Sequence, residues 1–194
     1  MTIIHLRGTS GSGKSSVVRA VMKRYYQQDP LQQIERKRPT GYLLQRDPEN
    51  DGPDLIVIGH YETPCGGCDT IPSLDLIYEY VREAAHRGCD VLFEGLLISP
   101  ELTRTIALHH EFPDQVHIIG LDVPLEDCLD GIMSRRHARA KDGADVKDVN
   151  PKNTTAKWKQ TKSACARLTT EGLQVQMLGR DAALARCLEL LKLA

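Results

Sequence analysis

The chain has 194 residues, of which 41% are apolar and 26% are charged. That is the composition of an ordinary globular domain with a substantial core, and it excludes collagen-like and low-complexity chains. No apolar run reaches the roughly 18 residues that a membrane-spanning helix needs. The net charge is −1 at pH 7, so any attraction to nucleic acid must come from a local basic patch.

The first element in the chain is a short strand, TIIHL, followed by the stretch GTSGSGKSS at 8–16. This stretch has the P-loop spacing Gly-x-x-x-x-Gly-Lys-Ser, and a helix follows it over 15–26. Backbone amides in such a loop point at phosphate oxygens, and the helix N-terminus faces the same anion. Lys14 can reach the β and γ phosphates and is expected to be partly exposed when the loop is empty, and the Ser15 hydroxyl can ligate Mg²⁺. The predicted nucleotide site therefore consists of Gly8, Thr9, Ser10, Gly11, Ser12, Gly13, Lys14, Ser15 and Ser16.

The rest of the chain alternates between strand-like and helical patterns. After a polar, basic passage over 27–40, two strands over 41–46 and 54–61 are joined by turn-forming residues, which predicts a paired extension. Later strands are predicted over 89–95, 115–123 and 173–178. Helices are predicted over 71–88, 99–112 (with Ser99 as N-cap), 124–140, 150–168 and 180–193, and a mobile loop over 140–150.

Alternating strands and helices predict a parallel sheet with helices on both faces. The fold class is therefore α/β: a three-layer P-loop nucleoside triphosphate hydrolase fold with a mostly parallel sheet. We expect a single domain over 1–194, with a small helical lid at approximately 135–167. The six cysteines lie mostly in apolar or helical segments and no signal peptide precedes them, which predicts free thiols in a cytoplasmic protein.

Several features favour a small kinase over other P-loop proteins. The strand over 115–123 ends without the Asn-Lys-x-Asp motif that reads guanine, and the chain is too short for a motor. Glu94 ends the strand VLFE, where an acid can hold Mg²⁺ or orient the acceptor. The structural alternative for Glu94 is a surface carboxylate at a turn, with no role in the reaction. Arg135 and Arg139 share a helix face and can neutralise charge on the transferred phosphoryl group, or can simply be a solvated helix end.

Asp69 lies in the segment HYETPCGGCDT that follows the strand over 54–61. This is the sheet edge at which α/β proteins bind ligands, so Asp69 is the first candidate for the general base that takes the acceptor proton. Glu94 is the second candidate, and a helix N-cap is the structural alternative for Asp69. Cys65 and Cys68 have the spacing of a zinc-binding pair, but a structural zinc site needs four ligands and the sequence has no second pair. His60 could be a third ligand, and no fourth is apparent. A tight Gly-Gly turn is therefore the simpler interpretation of this segment.

The P-loop, the strand VLFEG and the arginine-bearing lid resemble those of small P-loop kinases along nearly the whole chain. GHYETPCGGCDT together with VLFEGLLIS resembles a group of phage-encoded kinases that phosphorylate 5-hydroxymethyluracil in DNA, an early step in thymidine hypermodification. The layout is more distantly similar to phage polynucleotide kinase. The resemblance implies ATP and Mg²⁺ as cofactors, Asp69 as base, Arg135 or Arg139 on the phosphates, DNA as substrate, and action in the host cytoplasm. The Cys-Gly-Gly-Cys insertion before Asp69 departs from the polynucleotide kinase pattern.

A local basic patch bears on the acceptor. Residues 151–170 contain no acid, and their basic side chains, with Trp158 among them, can contact a DNA backbone and stack on a base. The basic residues of this segment are Lys152, Lys157, Lys159, Lys162 and Arg167, and residues 36–38 can extend the patch. A helix that serves only ATP, a kinase of a free nucleoside, nucleotide or other small metabolite, and a regulatory ATPase remain alternatives. The pI of about 6.6 favours a small acceptor slightly.

Overall fold

The computed structural model describes residues 1–32, 37–63, 66–140 and 146–193. Their strands are β1 (Ile3–Arg7), β2 (Gln27–Leu31), β3 (Gly41–Gln45), β4 (Leu55–Ile58), β5 (Asp90–Glu94), β6 (Val116–Leu121) and β7 (Gln174–Leu178). Their helices are α1 (Lys14–Met22), α2 (Leu74–His86), α3 (Thr103–Glu111), α4 (Leu125–His137), α5 (Pro151–Thr170) and α6 (Arg180–Leu190). Within these ranges no helix has both the length and the apolar character needed to cross a bilayer.

The strands form one mostly parallel sheet in the order β2-β3-β4-β5-β1-β6-β7. β4, β5, β1, β6 and β7 pair in parallel, and β1 lies at the centre, with Ile3 opposite both Val91 and Val116. β3 pairs antiparallel with β4, which confirms the predicted pairing of the strands over 41–46 and 54–61. The carboxyl ends of β1, β4 and β5 therefore meet at one edge of the sheet.

Helices cover both faces of the sheet, which confirms the three-layer prediction. On one face, Val18 of α1 and Cys187 of α6 pack with Ile4 and Leu6. On the other face, Tyr78 of α2 packs in a core that also contains residues of α3 and α5, such as Leu108 and Cys165. The central strands are rich in apolar residues because both of their faces are buried, and Leu55–Ile58 is entirely apolar.

One segment without a predicted structure forms a strand, and one local prediction was wrong. The polar passage over 27–40 contains β2, an edge strand antiparallel to β3, in which Pro30 is tolerated because an edge strand needs fewer ladder bonds. Ser99 is not a helix N-cap, because α3 begins at Thr103 after Leu102. Ser99 is instead completely buried.

The region predicted as a lid contains the end of α4 and most of α5. α5 packs on the sheet through Ala164, Cys165 and Leu168, so this part of the region is joined to the main core. Arg136 donates to the backbone carbonyls of Lys147 and Asp148 at 2.6 and 2.9 Å. The loop predicted to be mobile, 140–150, lies partly outside the described residues.

Candidate active site

The glycine-rich loop joins β1 to α1. Gly11 and Gly13 have φ values of 79° and 96°, a region that glycine enters without strain. Gly11 also has no room for a side chain, since a Cβ there would lie 1.9 Å from the carbonyl oxygen of Cys128 in α4. The helix α1 begins at Lys14, and its first amides have no acceptor within the helix. The loop is therefore tightly seated against α4 and directs these amides to its open side.

Lys14, Ser15 and Glu94 form a connected polar group that lines the cavity beside the loop. The Ser15 hydroxyl donates to Glu94 Oε1 at 2.7 Å, and Lys14 Nζ lies 3.8 Å from Glu94 Oε2. Lys14 Nζ also donates to the backbone carbonyls of Gly8 and Thr9 at 2.9 and 3.2 Å. We expected Lys14 to be partly exposed in the absence of nucleotide, and this was wrong: it is 7% exposed, because these carbonyls draw its ammonium into the loop.

Glu94 is a buried carboxylate at the end of β5, only 2% exposed. Burial raises its pKa, and the nearby Lys14 charge and the Ser15 hydrogen bond oppose that rise. The Ser15 hydroxyl and the Glu94 oxygens are hard donors on the open side of the loop, as Mg²⁺ requires. Mg²⁺ takes few protein ligands because phosphate oxygens and water fill its other positions, so these two side chains fit a nucleotide-bound magnesium ion.

Asp69 lies in a 3₁₀ turn, Cys68–Thr70, and its side chain is exposed. Its carboxylate accepts two backbone hydrogen bonds from the turn after β5: Leu96 N to Oδ2 at 3.0 Å and Leu97 N to Oδ1 at 3.1 Å. It is therefore not the N-cap of α2, whose capping side chain is Ser73. The two amides fix the orientation of the carboxylate and leave further lone pairs facing solvent.

The segment before Asp69 is a tight turn. Gly67 has a φ of 88° and forms a bridge with His60, and a Cβ on Gly67 would lie 2.6 Å from Glu94 Oε1. The His60 ring nitrogens are occupied by the hydroxyls of Thr63 and Thr70 at 3.1 and 3.2 Å. Cys68 is a buried free thiol, and Cys65 lies outside the described residues. In the part of the chain that the structure describes, no group of three or more His, Cys, Asp or Glu side chains could hold a metal ion. The positive φ and the close contacts of Gly67 explain why the turn needs glycine.

An open cavity of about 340 Å³ lies over the loop. It is lined by Thr9, Ser10, Gly11, Gly13, Lys14, Ser15, Ser16, Gly66, Asp69, Glu94, Leu96, Gly131, Arg135 and Arg180. It thus brings together four of the five predicted catalytic side chains. The fifth, Arg139, lies in the exposed turn after α4 and is not among the lining residues. Gly8 and Ser12 support the loop from beneath, where the Ser12 hydroxyl donates to the Thr9 carbonyl at 2.8 Å.

Arg180 is a site residue that the sequence patterns did not reveal. It is the first residue of α6, directly after β7, and its Nε donates to the Ser12 carbonyl at 2.9 Å. This contact brings a cation to the loop from a position 168 residues away in the chain. Its location at the carboxyl end of a parallel strand was the available signal.

Arg7 and Ser99 support the turn after β5, whose amides hold Asp69. Arg7 is completely buried, and its guanidinium donates to the carbonyls of Ser99 and Glu101 at 3.0 and 2.6 Å and to the Thr105 hydroxyl at 2.7 Å. Burial lowers its pKa. The Ser99 hydroxyl bonds to both the amide and the carbonyl of Gly8, at 3.2 and 3.0 Å. These contacts tie the turn that holds Asp69 directly to the glycine-rich loop.

The basic helix α5 carries the predicted patch, but two of its residues have structural contacts. Lys162 Nζ lies 2.7 Å from Asp122 Oδ1 and 4.2 Å from the centre of the Trp158 ring. The Trp158 indole nitrogen donates to the Val123 carbonyl at 2.9 Å, and the ring packs on the core. Contrary to our expectation, Trp158 is therefore a packing residue and does not offer an open ring for a base.

No family model matches the chain. A protein of the Pseudomonas phage PaMx11, named 5-hmdU DNA kinase, is 45% identical over 190 residues, which cover 98% of this chain and 97% of that protein. The α/β fold, the loop and the acidic and basic side chains around it are those of a kinase. The similarity to the phage protein extends over almost the whole domain, and the chain belongs to the family of phage 5-hmdU DNA kinases.

Proposed function

We propose that the protein is an ATP-dependent P-loop kinase that phosphorylates the hydroxymethyl group of 5-hydroxymethyluracil in phage DNA, in the host cytoplasm. The observation that carries the proposal is that Lys14, Glu94, Asp69 and Arg135 all line the same cavity beside the glycine-rich loop. The similarity to a protein named 5-hmdU DNA kinase supports the choice of acceptor.

Each side chain has a role in this reaction. The loop amides and Lys14 bind phosphate oxygens, and for this Lys14 must leave the carbonyls of Gly8 and Thr9. Ser15 and Glu94 would hold a Mg²⁺ ion, which would offset the negative charge of the phosphate groups when ATP is bound. Arg135 provides a second cation at the transferred group.

Asp69 is the proposed general base. The acceptor oxygen forms a bond to the γ-phosphorus, the bond from that phosphorus to the ADP oxygen breaks, and the hydroxyl proton passes to Asp69. Its carboxylate is exposed to the cavity and is oriented by two amides, whereas Glu94 is already engaged with Ser15. This difference favours Asp69 over Glu94 as the base.

The basic side chains of α5 that form no ion pair with another described residue are the proposed contact to the DNA backbone. We expect Lys157 and Lys159 to neutralise phosphates, so that DNA affinity falls steeply with salt and each lost contact reduces the slope of log K against log salt by about one unit. Lys162 is a matched control, because its ammonium is already paired with Asp122. A Lys157→Ala/Lys159→Ala variant should lose DNA affinity for all sequences and keep its affinity for ATP.

The proposal is tested by transfer from labelled ATP onto a panel of acceptors. The panel contains DNA with 5-hydroxymethyluracil, ordinary DNA, 5′-hydroxyl oligonucleotides and free nucleosides, with Lys14→Ala protein as the control for contaminating kinase. We expect label only on the DNA that contains 5-hydroxymethyluracil. Label on free 5-hydroxymethyldeoxyuridine, with none on the same base in DNA, would replace this proposal with a small-molecule kinase.

A further inference from the structure

Leu97 is an exposed apolar residue that directly follows Leu96, one of the residues lining the cavity. It is 56% exposed, whereas the next residue, Ile98, is completely buried. Among the described residues the other exposed large apolar side chains are Met1, Tyr26 and Met177, and none of them is adjacent in the chain to a residue that lines the cavity. Leu97 is distinguished by its backbone amide, which bonds to Asp69, and by its neighbour Leu96, which lines the cavity.

The turn that carries Leu97 is held on both sides. Leu96 and Leu97 donate to Asp69, and the Ser99 hydroxyl oxygen lies 2.6 Å from the Gly95 carbonyl oxygen and also contacts Gly8. Ile98 packs in the core. The turn is therefore rigid, and the fold directs a leucine side chain outward beside the proposed base without using it for packing.

A groove of about 350 Å³ begins three residues after Leu97, at Pro100. One wall contains Pro100 and Leu102, and the other contains Lys159, Ser163 and Arg167, which share one face of α5 at i, i+4 and i+8. The ion pairs formed within the described residues do not include Lys159 or Arg167. The apolar side chain of Leu97 thus lies in the chain between the cavity and a basic groove. This combination suits DNA, which is a polyanion with stacked, apolar bases.

We propose that Leu97 is a wedge that enters the base stack of duplex DNA while the adjacent 5-hydroxymethyluracil occupies the cavity at Asp69. This inference rests on the proposed function. A base inside a duplex must leave the stack before its hydroxymethyl oxygen can reach Asp69. Apolar side chains inserted at a base step offset part of the cost of unstacking. The rigid turn fixes the wedge relative to the base it helps to expose, and the basic groove receives the flanking phosphates.

The test compares duplex and single-stranded DNA, each carrying one 5-hydroxymethyluracil. A single strand has no paired stack to open, so the wedge contributes to kcat/KM for the duplex alone. We expect Leu97→Ala to reduce the ratio of duplex to single-strand kcat/KM on the order of 10- to 100-fold, the equivalent of losing the burial of one leucine side chain. Leu97→Met should retain most of the ratio, and Tyr26→Ala, the matched exposed apolar control, should leave it unchanged.

Binding gives a second readout that does not depend on phosphate transfer. 2-Aminopurine placed next to the modified base in the duplex should brighten when wild-type protein binds and brighten less with Leu97→Ala. The wedge is overturned, and the proposed function kept, if the wild-type protein phosphorylates both substrates and Leu97→Ala leaves the ratio of duplex to single-strand kcat/KM unchanged. An equal loss of kcat/KM on both substrates in Leu97→Ala has the same meaning. Absence of wild-type transfer to any DNA containing 5-hydroxymethyluracil would overturn the proposed function and the wedge with it.

Discussion

Replacing Asp69 with Asn separates two roles that the carboxylate can have. As a general base, Asp69 takes the acceptor proton, which Asn cannot do. As an anchor, it accepts the amides of Leu96 and Leu97 at 3.0 and 3.1 Å. Asn keeps one carbonyl oxygen for these amides and presents an NH₂ group in place of the other oxygen, so one hydrogen bond is lost.

The two roles predict effects of different size. The side chain is exposed, so losing one hydrogen bond costs about 0.5–1.5 kcal/mol, which corresponds to a roughly 2- to 13-fold change even if all of it appears in the rate. Loss of a general base costs about 10²–10⁴-fold, or about 2.7–5.4 kcal/mol. We expect Asp69→Asn to lower kcat by more than about 100-fold with little change in ATP affinity.

Single-turnover transfer to DNA containing 5-hydroxymethyluracil, with ATP affinity measured separately by titration, gives both quantities. Asp75→Asn is the matched control, because Asp75 is an exposed carboxylate paired with Arg104 at 2.6 Å, outside the cavity. A loss of tenfold or less in Asp69→Asn would reduce Asp69 to an anchor. If Glu94→Gln then showed the large loss in kcat alone, the role of base would pass to Glu94.

Three further predictions concern the loop and its neighbours. Lys14→Ala should abolish transfer and should lower the free energy of unfolding by about 3 kcal/mol, because Glu94 is then buried without its nearby cation. Adding Glu94→Gln should restore stability in urea unfolding but should not restore activity. A double variant as unstable as Lys14→Ala would refute the pairing of Lys14 with Glu94. Burial raises the pKa of Glu94 above its unfolded value, so its contribution to stability is present at acid pH and lost as pH rises through the folded-state pKa. In thermal unfolding, Glu94→Gln should therefore gain stability relative to wild type as pH rises above the ordinary range of a glutamate carboxyl, and a relative loss as pH rises would contradict the direction of the shift. Arg180→Ala should raise the KM for ATP about tenfold without changing the KM for DNA, whereas Arg186→Ala on the same helix, whose side chain pairs with Glu189 at 2.8 Å, should change neither.

Local patterns in the sequence were sufficient for the fold class and for the centre of the site. The central parallel strands are recognisable because burial on both faces favours apolar residues, as in Leu55–Ile58 and Val116–Leu121. The loop is recognisable because Gly11 and Gly13 need a backbone conformation that few other residues adopt, and Lys14 follows them at a fixed spacing. Glu94 and Asp69 were identified because residues at the carboxyl ends of parallel strands meet at one edge of the sheet.

Tertiary structure decided what these residues contact. Ser99 precedes a proline and matches a helix start locally, yet its hydroxyl is buried against Gly8, a residue 91 positions away. The arrival of Arg180 at the loop, the withdrawal of Lys14 onto backbone carbonyls and the anchoring of Asp69 by Leu96 and Leu97 are likewise invisible to periodicity. Periodicity and spacing report which face of an element is buried, whereas these hydrogen bonds join side chains to backbone groups of other segments, and only the packed arrangement of the sheet and helices brings those groups within reach.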